Sequence, residues 1–345
     1  MSKPLILITG GAGYIGSHTI ISLMEMTDFE IVSVDNYSNS SEATYKRIES
    51  IAGKSVAHIE ADIADKKQVE ELFRNYPTIS GVIHFAAYKS VPESVTQPES
   101  YYRNNLNCLI NILEVGKKHA MKHVIFSSSC SVYGNISSLP VKESTPFGVT
   151  ESPYAFTKLV GEKLLEDVIA ANKDMFGISL RYFNPVGAHI SGLIGELPNQ
   201  RPNNLVPVIT QNAIGKSKDM KVFGSDYPTR DGTCIRDYIH VCDIAEAHVL
   251  ALRLVLSANT NKRYDVFNLG SGNGVTVLEA VKTFERMSGI KLNYEIVDRR
   301  IGDVAAIYSD STKSKNELHW EANRTLDEMM NSAWKWEQFL SKIST

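Results

Sequence analysis

The chain has 345 residues, 43% of them apolar, and a formal net charge of −3. That length holds a large core and two domains, and the near-neutral balance argues against nucleic acid or an anionic membrane surface as partner. No apolar run reaches membrane-spanning length, and the first is too short for a secretory signal, so a cytoplasmic setting is expected.

In chain order, Leu5–Thr9 reads as a short buried parallel strand. It runs into Gly10-Gly11-Ala12-Gly13-Tyr14-Ile15-Gly16. Gly10 allows a tight turn, Gly13 lets backbone approach a pyrophosphate, and Gly16 lets the following helix pack on the strand. The helix N-terminus then faces phosphate with its amides and dipole. A second strand, Glu30–Val34, ends at Asp35, placed to accept from the adenosine ribose hydroxyls. Asn36 follows rather than an arginine, which favours NAD over NADP. A third strand, Val56–Glu60, leads to Asp62 and Ile63, where an adenine can be met. A helix over Lys67–Asn75 comes next, then a fourth strand, Val82–Ala87, which opens into a loop carrying Lys89. Within that strand, His84 reads as a satisfied core histidine.

A helix spans Asn105–Ala120, a fifth strand Val124–Ser129, an active-site helix starts near Tyr154, and a sixth strand spans Ile178–Tyr182. This alternation predicts a Rossmann-type, doubly wound parallel sheet. Gly10, Asp35, Phe85, Ser129 and Asn184 all fall at the carboxyl ends of its strands, where such folds bind ligands. Tyr154 and Lys158, four apart, share one helix face. An ammonium beside a phenol favours the phenolate, and a bound cationic nicotinamide acts the same way. The pair therefore reads as a general base suited to a sugar hydroxyl.

After Asn184-Pro185 the rhythm weakens. Residues 187–204 read as irregular loop. Helices follow at Leu205–Gly215, Ile244–Leu256, Val277–Ser288 and Leu326–Phe339. The expected organisation is a dinucleotide domain over 1–184 and a smaller mixed α/β substrate domain over 185–345, with Tyr264–Asn268 returning as a strand to the main sheet. Cys108, Cys130, Cys234 and Cys242 have no metal or redox spacing, and the histidines form no metal motif, so no metal is expected.

These motifs resemble the extended short-chain dehydrogenases/reductases and, within them, the UDP-glucose (UDP-galactose) 4-epimerases. The likeness covers nearly the whole chain. It rests on the glycine segment Thr9–His18, Asp35-Asn36, Val82–Ala86, Phe126–Ser129, Val132-Tyr133-Gly134 and Ser152-Pro153-Tyr154. It continues through Leu180–Ala188, Pro202-Asn203-Asn204-Leu205, Asp231-Gly232-Thr233 and Arg236–Val241. The glycine segment is shared by the wider superfamily, whereas the later asparagine- and arginine-centred motifs are specific to sugar-nucleotide epimerases.

The resemblance implies tightly held NAD and reversible inversion at C4 of UDP-galactose and UDP-glucose through a 4-keto sugar that turns over inside the pocket. It gives Tyr154, Lys158 and Ser129 the catalytic roles. Ser129 shares a hydrogen bond with O4 and relays the proton; its other reading is a strand-end cap. Cofactor contacts are implied for Gly10, Gly13, Tyr14, Ile15, Gly16, Asp35, Asn36, Asn39, Ser40, Asp62, Ile63, Phe85, Ala86, Lys89, Asn104, Ser127, Tyr154, Lys158, Tyr182 and Phe183. Substrate contacts are implied for Lys89, Ser129, Tyr154, Asn184, Asn203, Asn204, Leu205, Phe223, Arg236, Tyr238, Arg300, Asp303 and Ile307, with the two arginines on the UDP phosphates.

Ile307 matches the family position beside the sugar C2 substituent. A tyrosine there closes the pocket to N-acetyl sugars, and an isoleucine predicts weaker but measurable activity on them. Dehydratases and decarboxylases of the same superfamily need carboxylates near Ser129, where this chain has Cys130 and Ser131. The alternatives are another nucleotide-sugar epimerase and a non-catalytic dinucleotide sensor on the same fold. Cys130 reads mainly as a small packing residue, or else as a thiol whose alkylation blocks the pocket. The apolar residues of Asn105–Ala120 (Leu106, Leu109, Ile110, Ile112, Leu113) and of Tyr154–Ala171 (Phe156, Leu159, Val160, Leu164, Leu165, Val168) exceed one stripe. In the family such helices pair across a two-fold axis, so a homodimer is expected.

Overall fold

The run Leu-Ile-Leu-Ile-Thr forms β1 (Leu5–Thr9), buried at every position because helices cover both faces of its sheet. In this computed structural model, which describes residues 3–136, 138–197, 202, 204–257, 262–300 and 303–343, the first half of the chain alternates strand and helix. After β1 come α1 (Tyr14–Met26), β2 (Glu30–Asp35), α2 (Ala43–Ala52), β3 (Ala57–Glu60), α3 (Lys66–Asn75) and β4 (Ile79–His84). Then follow α4 (Val91–Thr96), α5 (Pro98–Lys118), β5 (His123–Ser129), a 3₁₀ turn (Cys130–Tyr133), α6 (Pro153–Ala171) and β6 (Phe176–Tyr182). The second half contributes β7 (Asn184–Val186), α7 (Leu205–Ala213), β8 (Met220–Phe223), β9 (Ile235–His240), α8 (Val241–Leu256) and β10 (Tyr264–Leu269). It ends with β11 (Gly274–Thr276), α9 (Val277–Ser288), β12 (Tyr294–Val297), β13 (Ala306–Ile307), α10 (Thr312–Glu317) and α11 (Leu326–Ile343).

Seven strands make the main sheet in the order β3-β2-β1-β4-β5-β6-β10, all parallel. Chain direction across the sheet reverses between β1 and β4, the switch point where ligands enter such folds. Side-chain alternation divides the core. Ile6 and Ile8 pack with Ile20, Ile244 and Leu252 on the face covered by α1 and α8. Leu5 and Leu7 pack with Val69, Leu109 and Leu165 on the face of α3, α5 and α6.

The smaller region has its own core, built from Val206, Ile209, Tyr238, Phe284 and Met330. Its strands are short: β9 pairs with β7, β11 and β13, and β8 pairs with β12.

Two expectations are corrected. The fourth strand ends at His84, because the chain leaves the sheet at Phe85 to start the loop towards Lys89. Helix α5 begins seven residues before the expected Asn105, since Pro98 and Glu99 suit a first turn. The boundary at 184/185 is crossed twice, as β10 returns to the main sheet, as expected, and α8 also packs against α1.

Four histidines lie inside this fold. His84 Nδ1 meets the Thr9 hydroxyl at 2.9 Å, as expected of a satisfied core residue. His18 Nδ1 donates to the Tyr14 carbonyl and His248 Nδ1 to the Ile244 carbonyl, while the Nε2 of each has no partner among the described residues. Burial pushes His18, His84 and His240 down to about 3 and His248 to about 4. Below pH ~6.5 the unfolded chain takes up protons that the fold refuses, so stability falls as pH falls, by at most about 1.4 kcal/mol per pH unit for each imidazole. The urea midpoint is therefore expected to drop between pH 7 and pH 5; equal midpoints would show that these rings accept protons in the folded state.

Candidate active site

The glycine turn forms a cradle that side chains would fill. Gly10 has φ 70°, and a Cβ there would lie 2.9 Å from the Ala86 nitrogen across the switch point. A Cβ at Gly16 would stand 2.3 Å from the Gly10 carbonyl oxygen, whereas at Gly13 it would meet only that oxygen, at 3.1 Å. Gly13 is the N-cap of α1 and no side chain caps it, so the first-turn amides of Tyr14 and Ile15 remain for an anion. Asp35 closes the cradle. Its carboxylate accepts from the Ala12 and Tyr37 amides and from the Ser40 hydroxyl at 2.8–3.0 Å. That leaves acceptor capacity for ribose hydroxyls, so these residues fit a dinucleotide.

Asn36 accepts from the Ser38 amide, and Asn39 lies in the same exposed turn. At the end of β3, Asp62 accepts from the Ala64 amide. Asn111 of α5 then pins this corner by donating to the Ile63 and Ala64 carbonyls. Asn105 does the same for the loop after β4. It accepts from the Tyr88 amide and donates to the Tyr88 carbonyl and the Thr157 hydroxyl, with Asn104 donating to its oxygen. Neither Asn105 nor Asn111 was singled out as a site residue, because a helical asparagine carries no sequence signal for a partner that far along the chain.

Ser152 caps α6 by accepting from the Ala155 amide, and Pro153 occupies the first turn, which sets Tyr154 at the buried start of the helix. One turn on, Lys158 Nζ donates to the Ser127 carbonyl at 2.7 Å and sits 6.0 Å from the Tyr154 ring centre. Ser127 also meets the Tyr182 hydroxyl. Ser129 Oγ accepts from both the amide and the hydroxyl of Ser131. It does cap the 3₁₀ turn, yet its own proton is left to donate.

The expected lowering of Tyr154 is corrected. Burial raises its phenol well above the usual value, the nearby Tyr182 adds to this, and only the Ser129 hydrogen bond opposes it. Lys158 donates to the Ser127 carbonyl, and burial lowers its own pKa to about 8, opposed by the nearby Cys108 sulfur and the Glu162 carboxylate. Cys130 sits against Val132, Tyr133 and Ile307, and burial pushes its thiol up to about 12. This favours packing over reactivity, since the thiolate is the nucleophile.

The opposite wall comes from the second half of the chain. Arg236 on β9 donates to the Val304 carbonyl at 2.8 Å and pairs with Asp303 at 3.2 Å. Ile307 stands in register beside Arg236, and Tyr308 turns the other way, towards Gly274. Asn184 pairs with Tyr238, whose buried side chain joins the core of the smaller region. Phe183 likewise packs with Val132 and Ile307. The Arg300 guanidinium lies 4.4 Å from the Phe223 ring centre, and Leu205 opens α7. Asn203 lies outside the described residues.

Two carboxylates that sequence reading missed organise this wall. Glu196 receives both Lys89 and Asn204, at 3.0 and 2.8 Å. Asp237, fully buried, accepts from the amides of Ser271, Gly272 and Ser309 and from the hydroxyls of Ser271 and Ser309. It thereby pins the segment that carries Ile307 onto β9.

Residues 6–270 match the NAD dependent epimerase/dehydratase family. The chain is 48% identical to a UDP-glucose 4-epimerase of Bacillus subtilis over 96% of both chains. It superposes on the crystal structure of the Stenotrophomonas maltophila UDP-glucose-4-epimerase with bound NAD and formylated UDP-arabinopyranose with a TM-score of 0.94, at 42% identity over 99% of both chains. For the Bifidobacterium longum UDP-glucose 4-epimerase in complex with NAD+ and UDP the TM-score is 0.91, at 45% identity over 97% of this chain and 98% of that one.

Proposed function

This chain belongs to the UDP-glucose 4-epimerases of the NAD dependent epimerase/dehydratase family, and from that premise we infer the work of its cleft. It is an NAD-dependent enzyme that inverts UDP-sugars at C4, interconverting UDP-galactose and UDP-glucose. The observation that carries the assignment of roles is the meeting of Tyr154, Lys158 and Ser129 at the carboxyl end of β5, beside the glycine cradle.

NAD, held by the glycine cradle and Asp35, would supply reversible hydride transfer at C4 of the sugar. Tyr154 takes the proton from the 4-hydroxyl oxygen as the carbonyl forms and returns it as the hydroxyl is restored. Ser129, held by Ser131, donates towards O4 and steadies the charge that develops there. Lys158 is the cation that offsets the buried phenolate, and its pKa of about 8 leaves it mostly charged at pH 7. Asp35 accepts from the adenosine ribose, and Arg236 and Arg300 hold the diphosphate while the sugar turns. We propose that this chemistry serves galactose metabolism, in the cytoplasm.

Tyr154→Phe keeps the ring and removes the acceptor. Turnover of UDP-galactose is expected to fall by roughly a hundredfold or more, with NAD still bound and the circular dichroism unchanged. A near wild-type rate would refute the assignment. Bound NAD(H) without any wild-type turnover would favour the dinucleotide sensor instead.

Substrate breadth rests on Ile307. It is buried beside Cys130 and the Ser129 end of β5, and its β-branch limits how it swings aside. We propose full activity on UDP-galactose and UDP-glucose, and weaker activity on UDP-N-acetylgalactosamine and UDP-N-acetylglucosamine. Ile307→Tyr is expected to abolish the N-acetyl activity and spare the other; an unchanged ratio overturns the gate.

A homodimer is proposed from surface apolarity. Val91 and Val95 on α4, Ile110 on α5 and Phe156 on α6 are 41–59% exposed on three adjoining helices. Solution mass at micromolar concentration is expected to be that of two chains, and a monomeric mass would exclude the pairing.

A further inference from the structure

Beneath the catalytic pair lies a buried polar network that the reaction itself does not use. Glu162 stands one turn beyond Lys158 on α6 and is 4% exposed. Arg181 of β6, 3% exposed, clasps it bidentately, Nε at 2.9 Å and Nη2 at 2.6 Å. The Ser128 hydroxyl donates to the same carboxylate, and Ser128 stands in register beside Arg181. Arg181 Nη1 continues to the Tyr133 hydroxyl at 3.0 Å, which donates to Asn268 Oδ1 on β10 at 2.6 Å. Five elements are thus tied by charge-assisted bonds in a dry interior, where such bonds are strongest and an unpaired member is costly. The network touches the residue before Ser129, the 3₁₀ turn after it, and the helix that carries Tyr154 and Lys158.

We propose that Glu162 is a positioning residue that sets the charge state of the Tyr154–Lys158 pair while locking α6 to the Ser129 end of β5. The inference rests on the epimerase reading above. The groups facing Lys158 are few. They are Tyr154 and Glu162 on its own helix, Cys108 on α5, His84 on β4, and the Ser127 carbonyl with the Phe126 ring on β5. Around Tyr154 they are Tyr182, Ser129, Cys130 and Tyr101. His84 is buried and neutral and Cys108 is held as a thiol, so Glu162 is the formal negative charge of this set. A hydroxyl or an amide in its place would leave the buried Arg181 cation uncompensated next to the pair.

The sign of the effect follows. Glu162→Gln removes an anion and frees a cation, so the cationic form of Lys158 is disfavoured and the anionic form of Tyr154 favoured. Both pKa values fall, and the whole pH–rate profile moves to lower pH, by at least about half a unit. A purely structural role predicts a lower kcat with the profile in place. The test compares pH profiles for UDP-galactose turnover, together with phenolate absorbance of each protein against the same protein carrying Tyr154→Phe. Glu162→Asp keeps the charge and is expected to hold the wild-type profile; should the Gln variant not fold, Glu162→Gln with Arg181→Gln, which leaves no uncompensated cation, carries the test with the same expected direction. Ser128→Ala removes only a neutral donor, so it too is expected to leave the profile in place. A Gln profile that stays put overturns the proposal, as does an Asp or Ala profile that moves as far as Gln is expected to. Wild-type turnover is measured in the same series, so its absence would sink the epimerase reading rather than this one.

Discussion

The donation from the Lys158 ammonium to the Ser127 carbonyl fixes where α6 stands on the sheet. A buried ammonium is tolerated only when it is bonded. Lys158 finds its acceptor in the backbone of β5, two residues before Ser129. That bond decides the placement of everything around it. Tyr154, one turn back on α6, is carried to the strand end, and Ser129 meets it there. The carboxyl end of β5 sits one strand from the switch point between β1 and β4. The cradle for the dinucleotide and the base for the sugar are therefore set by the same sheet, without any contribution from a mobile element.

The same burial that orients the pair works against its ionisation. A phenol buried against Tyr182 and Tyr101 holds its proton, and burial makes the lysine give its proton up more readily. The sequence spacing of tyrosine and lysine foretold attraction between ammonium and phenolate but not this opposing cost, because desolvation depends on neighbours from β4, β5, β6 and α5 rather than on spacing. A pair placed this way favours the charged state only when cations gather around it, which is the condition a cationic cofactor ring and an intact Lys158 create together.

Much of the dinucleotide half was legible, because its signals are local. A buried strand shows as an apolar run, the glycine turn as four glycines in seven residues, and the ribose acceptor as an acid ending the next strand. The second half was legible in its longer helices and in the returning strand β10, but not in its other strands. Strands of two to six residues with mixed burial, such as β9 and β13, give no period to count. The polar fasteners were invisible for a different reason. Asn111, Glu196 and Asp237 each bond groups at sequence separations of 8 to 107 residues, and a single polar residue carries no mark of such a partner.

The substrate gate proposed at Ile307 needs a firm support, and Asp237 supplies it. A pocket rejects a substituent only if the side chain it meets has nowhere to go. Ile307 belongs to a strand of two residues, too short to hold itself in place by pairing with β9 alone. Two residues on, Ser309 gives both its amide and its hydroxyl to Asp237. Gly270 lets them approach, since a Cβ there would lie 2.3 Å from the Asp237 oxygen. The loop that supplies Gly270 follows β10, a strand of the main sheet that also accepts the Tyr133 hydroxyl through Asn268. The substrate wall is thus braced on the sheet that holds Ser129 and, through Arg181 and Glu162, on the helix that holds Tyr154. Because one frame carries both walls, the separation of Ser129 and Ile307 is a property of the fold.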